Sequence, residues 1–301
     1  MGMKNVHPTA REVLEVIEAG GYETSDGQWV DLTASLRASE AGVRTFTPDE
    51  IDFLALDAPA GRTAAGPGST GPAATDPGST GHAVTDPAPT VEVTDETTQQ
   101  ACARLAPDFD TAALNFAAAR NPGGGFLSGS RAQEEELCRC STLFPTLLLQ
   151  PDYYDANRSH PSTLYTDHVI HSPRVAFFRL GSSEPWLARP VEVGIVTAPA
   201  PNRGGIPSHD TERLRALAPT FERRWDRVLR VAAHTGHDAL VLGAWGCGAF
   251  GNDPAMVAEA AARALRTSAA TPCFRRIVFA VPDHGAQGRR NHAAFRGLLG
   301  S

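Results

Sequence analysis

Short apolar runs alternate with stretches of helical spacing from residue 91 onward, and this alternation most narrows what the chain can fold into. The runs at 91–93, 112–117, 191–197, 239–242 and 276–281 read as strands. Between and after them, 97–106, 211–234, 254–267 and 291–299 read as helices, with a break expected at Pro219. Residues 134–149 start helical until Pro145 interrupts them. Elements alternating in this way bury their apolar faces by packing helices on both sides of one sheet, which predicts a three-layer α/β/α domain.

Upstream the composition breaks. Residues 58–90 are mostly Gly, Pro, Ala, Ser, Thr and Asp, and a ten-residue unit recurs, GPGSTG at 66, DPGSTG at 76 and a third Asp-Pro at 86. Ten residues without core-forming side chains cannot stack into a solenoid. They also bury too little to offset their backbone entropy, so the segment reads as a disordered insert. Excising residues 62–89 is expected to be nearly neutral, because closure entropy changes slowly with loop length. Before the insert, 10–19 reads as a helix with Val13, Leu14 and Ile17 on one face, ending at Gly20 and Gly21. Residues 22–36 read as a hairpin turning at Ser25-Asp26-Gly27. The expected organisation is an extension over 1–57 packing on the core, an insert over 58–90 and the core domain over 91–301.

Charge and cysteine usage narrow the function. The chain of 301 residues carries 27 Lys and Arg against 34 Asp and Glu, a net charge of -7, which argues against coating nucleic acid. An anion site built from backbone amides stays open to it. The longest stretch free of charge and Pro is 239–252, short of the roughly 18 residues a membrane span needs. No basic-then-apolar segment follows Met1, so the five cysteines are expected to be reduced thiols of a cytoplasmic protein.

Two glycine-rich stretches follow expected strands. In the first, Asn115 and Asn121 precede Gly123, Gly124 and Gly125; seven residues later come Gln133, Glu134, Glu135 and Glu136. Consecutive glycines permit positive φ and bare N–H groups, so backbone can lie directly against a ligand. Carboxylates at a helix start are stabilised by the dipole unless burial opposes it. The second stretch holds Gly243, Gly246, Cys247, Gly248, Ala249, Phe250, Gly251 and Asn252, and leads into a helix through Asp253 and Pro254. A glycine loop feeding a helix N-terminus suits phosphate oxygens, and Phe250 suits a base or ribose. It has neither the GK[ST] of a Walker loop nor a dinucleotide fingerprint.

Other candidates are weaker. His168 and His171, and His234 and His237, have chelating spacing but lack the Glu of a zinc-protease helix. Cys138 and Cys140 lack redox spacing, and Ser128, Ser130 and Ser182 lack a nucleophile elbow. Arg213, Arg215, Arg223, Arg224, Arg227 and Arg230, mixed with acids, read as a solvated helix face.

GGG, seven residues, then QEE resembles the signature of poly(ADP-ribose) glycohydrolases. The stretch NFAAARNPGGGFLSGSRAQEEELCRCSTL, the YTDH at 165–168 and GAWGCGAFGNDP resemble the compact bacterial type. The resemblance spans roughly 9–56 and 91–285. It implies a macrodomain, a mixed sheet between helical layers with an N-terminal extension. It further implies that Gly123, Gly124 and Gly125 surround the diphosphate and distal ribose, and that Glu135 is the catalytic acid/base while Glu134 binds ribose hydroxyls. Gly246 to Gly248 would hold phosphates and Phe250 would pack on ADP-ribose; Gln133, Ala249, Asn252, Asn115 and Asn121 are further expected contacts. The third glutamate, Glu136, leaves the register open by one position. Polymer or an ADP-ribosylated macromolecule would be the substrate and ADP-ribose the product. The enzyme would need no cofactor or metal and act as a monomer off the membrane. Kept beside this are a mono-ADP-ribosyl hydrolase, a non-catalytic ADP-ribose reader and a macrodomain without ligand.

Overall fold

The structure is a computed structural model that describes residues 6–56 and 88–300. The repeats at 66, 76 and 86 lie outside the described residues. In chain order the elements are α1 (Pro8–Ala19), β1 (Gly21–Glu23), β2 (Trp29–Asp31), α2 (Thr33–Gly42), β3 (Arg44–Phe46) and α3 (Pro48–Asp52). They continue with β4 (Thr90–Thr94), α4 (Thr98–Leu105), β5 (Thr111–Phe116), α5 (Gln133–Cys140), α6 (Leu143–Leu148) and α7 (Pro151–Ser159). Then follow β6 (Val169–Phe177), β7 (Val191–Ala198), α8 (Thr211–Arg215), α9 (Leu217–His234), β8 (Ala239–Leu242), α10 (Pro254–Thr267), β9 (Arg276–Ala280) and α11 (Gly285–Leu299).

Seven strands form one mixed sheet in the order β3-β6-β7-β5-β8-β9-β4. The five strands from β7 to β4 run parallel, and β6 is antiparallel to both β7 and β3. Side chains alternate across the sheet as pleating requires. Ala113, Ile195, Val241 and Val278 join one core with α1, α4, α5 and α6. Ala112, Leu114, Val196, Leu240 and Ile277 join a second core with α9, α10 and α11. The three layers expected from the sequence are therefore present. β5, which carries the first glycine loop, lies at the middle of the sheet.

The structure corrects several local expectations. The hairpin is only β1 and β2, since α2 begins at Thr33, whose N–H donates to Asp31 Oδ1 at 2.7 Å. The break expected at Pro219 falls three residues earlier, at Ala216 between α8 and α9, and leaves the proline in the first turn of α9, where its missing N–H is not needed. Pro145 sits likewise near the start of α6, and the interruption before it falls at Ser141 and Thr142. α11 starts at Gly285, not at 291. The arginine run is not uniformly solvated, since Arg224 and Arg227 are buried against the sheet side of α9. All five cysteines are buried and free, and burial pushes the Cys140 and Cys247 thiols up to about 12. Among the described residues no helix is long and apolar enough to cross a membrane.

Candidate active site

β5 ends at Phe116, and the chain turns through Gly123 and Gly124 before α5 brings it back. Both glycines have positive φ, 66° and 56°. Packing as well as conformation fixes their identity. A Cβ at Gly123 would meet the Phe144 ring at 2.8 Å, and one at Gly124 would meet Glu135 Oε1 at 2.4 Å and Glu134 Oε2 at 3.1 Å. The loop therefore presses its backbone onto two carboxylates.

Gln133 fastens the start of α5 to the end of β5. Its Oε1 accepts the Phe116 N–H at 2.9 Å, and its Nε2 donates to Leu114 O at 2.9 Å and Thr98 Oγ1 at 3.2 Å. Glu134 is buried, with Oε2 accepting the Ala118 N–H at 2.7 Å and Oε1 accepting Asn115 Nδ2 at 3.2 Å. Burial pushes its carboxyl up to about 8, against these hydrogen bonds and with added repulsion from Glu135. Glu135 reaches back as a cap: Oε1 accepts the Gly125 N–H at 2.8 Å and Oε2 the Ala132 N–H at 3.0 Å. Glu136 turns elsewhere, accepting the Ser182 N–H at 2.7 Å and pairing with Arg139 at 3.5 Å.

Gln133, Glu134 and Glu135 line a cleft of about 780 Å³ whose opposite wall includes Gly246, Gly248, Ala249 and Phe250. The carboxylates packed on the first glycine stretch thus line one cleft with the second glycine loop, whereas Gly123, Gly124 and Gly125 are not among its lining residues. The members of the second loop are not equivalent. Gly246, at φ 73°, is held by packing, since a Cβ there would meet Ala200 at 2.6 Å and Asn252 Nδ2 at 2.8 Å. Gly248 has nothing within 4 Å of its would-be Cβ and opens to the cleft. Cys247 is buried, its thiol directed to Trp245 O at 3.7 Å, while its N–H donates to Ala244 O at 3.2 Å and its carbonyl accepts Gln287 Nε2 at 3.2 Å. Asn252 holds the loop from below, donating to Pro201 O at 2.8 Å and Gly246 O at 2.9 Å. Asn115 stands behind Glu134, not beside the cleft. Asn121 is exposed and contributes its carbonyl to the Gly124 N–H at 3.0 Å.

The histidine pairs separate. His168 bonds to Thr166 Oγ1 at 3.0 Å, whereas His171 pairs with His237 across the sheet at 2.9 Å. Among the described residues no three His, Cys, Asp or Glu side chains converge as a metal site.

Sequence reading quoted Tyr165 within the YTDH motif but did not place it beside Phe250. Its φ of 61° is the left-handed region that a bulky residue rarely adopts, and its ring stands 6.2 Å from that of Phe250. The strain has no marker in the sequence. Two residues on, Asp167 is ion-paired at 2.6 Å with buried Arg224, far from it in the chain.

The family model of the microbial-type PARG catalytic domain matches residues 10–180. Among solved structures, the poly(ADP-ribose) glycohydrolase of Thermomonospora curvata is 36% identical over 97% of this chain and 98% of that one, with a TM-score of 0.81. The same enzyme bound to the inhibitor ADP-HPD is 36% identical over 96% and 97%, with a TM-score of 0.78. The Deinococcus radiodurans glycohydrolase in complex with ADP-ribose is 41% identical over 87% of this chain and 95% of that one, with a TM-score of 0.71. No curated protein matches the chain.

Proposed function

Since this chain belongs to the microbial-type poly(ADP-ribose) glycohydrolases and is a glycosidase acting on that polymer, we propose that Glu135 is its acid/base and Glu134 its ribose-hydroxyl ligand. The observation that carries this is the pair of carboxylates pressed against Gly124 in the cleft that the second glycine loop also walls. Relatives crystallised with ADP-ribose support binding of that nucleotide here.

The ribose–ribose bond breaks through an oxocarbenium-like transition state, which needs a proton on the leaving oxygen. Glu135 supplies that proton as the C–O bond opens, and the electron pair leaves with the departing ribose oxygen. The diphosphate of the same unit lies on the amides of Gly246 to Phe250 and offsets the positive charge at the anomeric carbon. Glu135, now a carboxylate, takes a proton from water as its oxygen adds to that carbon. Cleavage at a terminal unit releases ADP-ribose and leaves a polymer one unit shorter, whereas internal cleavage releases a shorter oligomer. The amides of Gly125 and Ala132 fix Glu135 before substrate arrives. Glu134, the more deeply buried of the two and held by Ala118 and Asn115, serves as a fixed partner for hydroxyls. The reading takes the enzyme as a cytoplasmic monomer in which residues 1–57 pack on the 91–301 core. Buried free thiols and the sharing of one core by α1 and α5 support it.

Glu135→Gln tests the assignment on both automodified polymer and a mono-ADP-ribosylated target, with released ADP-ribose as the readout. Turnover of polymer falls by about 10²-fold or more while ADP-ribose affinity stays within about tenfold. Glu136→Gln stays active, because that side chain serves Ser182 and Arg139. A dead Glu136→Gln beside an active Glu135→Gln would shift the register by one. Turnover of the mono-ADP-ribosylated target alone would favour the sibling activity.

A further inference from the structure

Phe250 forms part of the cleft wall, and Tyr165 stands beside it with ring planes 47° apart. Tyr165 keeps a φ of 61° although it is neither Gly nor Asn, so something outside its own dipeptide must hold it there. One guanidinium does. Arg224 of α9 is 2% exposed, and its Nη2 donates to Leu164 O at 2.5 Å and Tyr165 O at 2.9 Å. Its Nη1 donates to Pro199 O at 2.8 Å, and its Nε to Asp167 Oδ1 at 2.6 Å.

These partners lie on the two segments that converge at Phe250. Tyr165 meets the ring itself. The segment leaving β7 at Pro199 runs on to Gly204, whose N–H donates to Phe250 O at 3.0 Å. Asp167 fixes the guanidinium from the other side, and also pairs with Arg223 at 2.5 Å and Arg227 at 3.1 Å. Asn157 of α7 pins the residue between, accepting the Thr166 N–H at 2.9 Å and its hydroxyl at 3.0 Å. A buried charge is costly and stays only where its hydrogen bonds are met, and a planar fork can hold three carbonyls where an ammonium cannot.

We propose that Arg224, fixed by Asp167, is a positioning residue that sets the Tyr165–Phe250 pair so that Phe250 offers its ring to bound ADP-ribose. The inference rests on the functional reading above and adds to it a control of binding from the far layer of the fold. Arg224 touches no reacting atom, so its effect falls on binding and not on the chemical step.

A double-mutant cycle tests it with the full chain. Tyr165→Ala, Arg224→Lys and the double variant are compared for ADP-ribose Kd by calorimetry, and for KM and kcat on polymer. Each single change weakens ADP-ribose binding and raises KM about tenfold, with kcat within about threefold. The double variant is no worse than the poorer single within about twofold, because both remove the same placement. Tyr165→Phe, which keeps the ring, retains wild-type affinity. Additive losses approaching a hundredfold, or an Arg224→Lys protein with wild-type affinity, would overturn the clamp. Should Arg224→Lys fail to fold, Asp167→Asn carries the same expectations in the same cycle. Wild type that binds no ADP-ribose overturns the functional reading and the clamp with it, whereas wild type that binds, with additive variants, overturns the clamp alone.

Discussion

A side chain at Gly248 would enter open cleft, but one at Gly124 would drive into Glu135, and the two glycines therefore fail in different ways. Gly248→Val is expected to leave the melting temperature unchanged while ADP-ribose affinity falls at least tenfold, about 1.4 kcal/mol. Gly124→Val combines a backbone at φ 56° with a contact at 2.4 Å, so it lowers stability by about 1–3 kcal/mol before any ligand is present. Thermal unfolding followed by calorimetry separates them, and a Gly124→Val protein as stable as wild type would refute the packing argument. Glu134 gives a pH test at the same scale. Its folded pKa of about 8 lies above the unfolded value near 4.5, so the folded state holds a proton the unfolded state releases. Its contribution is fully present below about pH 4.5 and is lost as pH rises through about 8. Relative to wild type, Glu134→Gln should therefore gain melting temperature between pH 5 and 8; a gap that does not change with pH would contradict the burial. The glycines and glutamates were legible in the sequence because they are consecutive and their spacing is local. Tyr165, Asp167 and Arg224 were not, because their relation exists only once α9 packs behind β6 and β7.

At the scale of elements, neither β3 nor β6 was read as a strand, and for β6 the reason is local. Pro173 and Arg174 interrupt its period, Arg174 has φ 51°, and its register with β7 shifts between Ser172 and Val175. β5, β7, β8 and β9 lack such an irregularity and could be read from their apolar runs. α7 hid behind Pro151 at its first position and a polar sequence. β6 also brings His171 onto His237 at 2.9 Å, where one ring must donate and the other accept. Both rings are held neutral: burial, then repulsion from His237 and His234, pushes His171 down to about 3. Burial pushes His237 down to about 4 although Asp110 opposes it. The unfolded chain, with histidines near 6.5, takes up protons that the folded state refuses, so stability falls as pH drops from about 6.5 toward about 4. A His171→Asn, His237→Asn double variant is less stable at pH 7, and its deficit in melting temperature narrows as pH falls to about 4.5. A deficit that holds constant over that range would mean the pair is not neutral in the fold.

The insert looks dispensable in sequence, but the whole molecule sets a length it must keep. Before it, the Ala55 carbonyl accepts from His234 Nδ1 at 3.1 Å, and the His234 ring meets Phe46 of β3 at 6.1 Å. After it the chain enters β4. β3 and β4 are the opposite edges of the sheet. Both ends pack on the same helical layer, through Leu54 and Leu56 on one side and Val91 and Val93 on the other. Six strand spacings of about 4.8 Å put the two edges about 29 Å apart. Excising residues 62–89 would leave 56–61 to bridge Ala55 and Thr90, about seven Cα steps and about 24 Å even fully extended. Loop entropy argues that shortening costs little, but only while the loop still reaches. The near-neutral deletion expected from composition therefore gives way to a threshold. Removing 62–89 should lower the melting temperature sharply, by pulling β4 or the 54–56 segment off the core. Replacing the same residues with a Gly/Ser linker of equal length, or cutting back to about fifteen residues, should leave both melting temperature and ADP-ribose affinity at wild-type values. If the full excision melts with wild type, the ends approach each other more closely than the sheet order requires. If the Gly/Ser replacement is destabilised instead, the native insert packs on the domain through its own sequence.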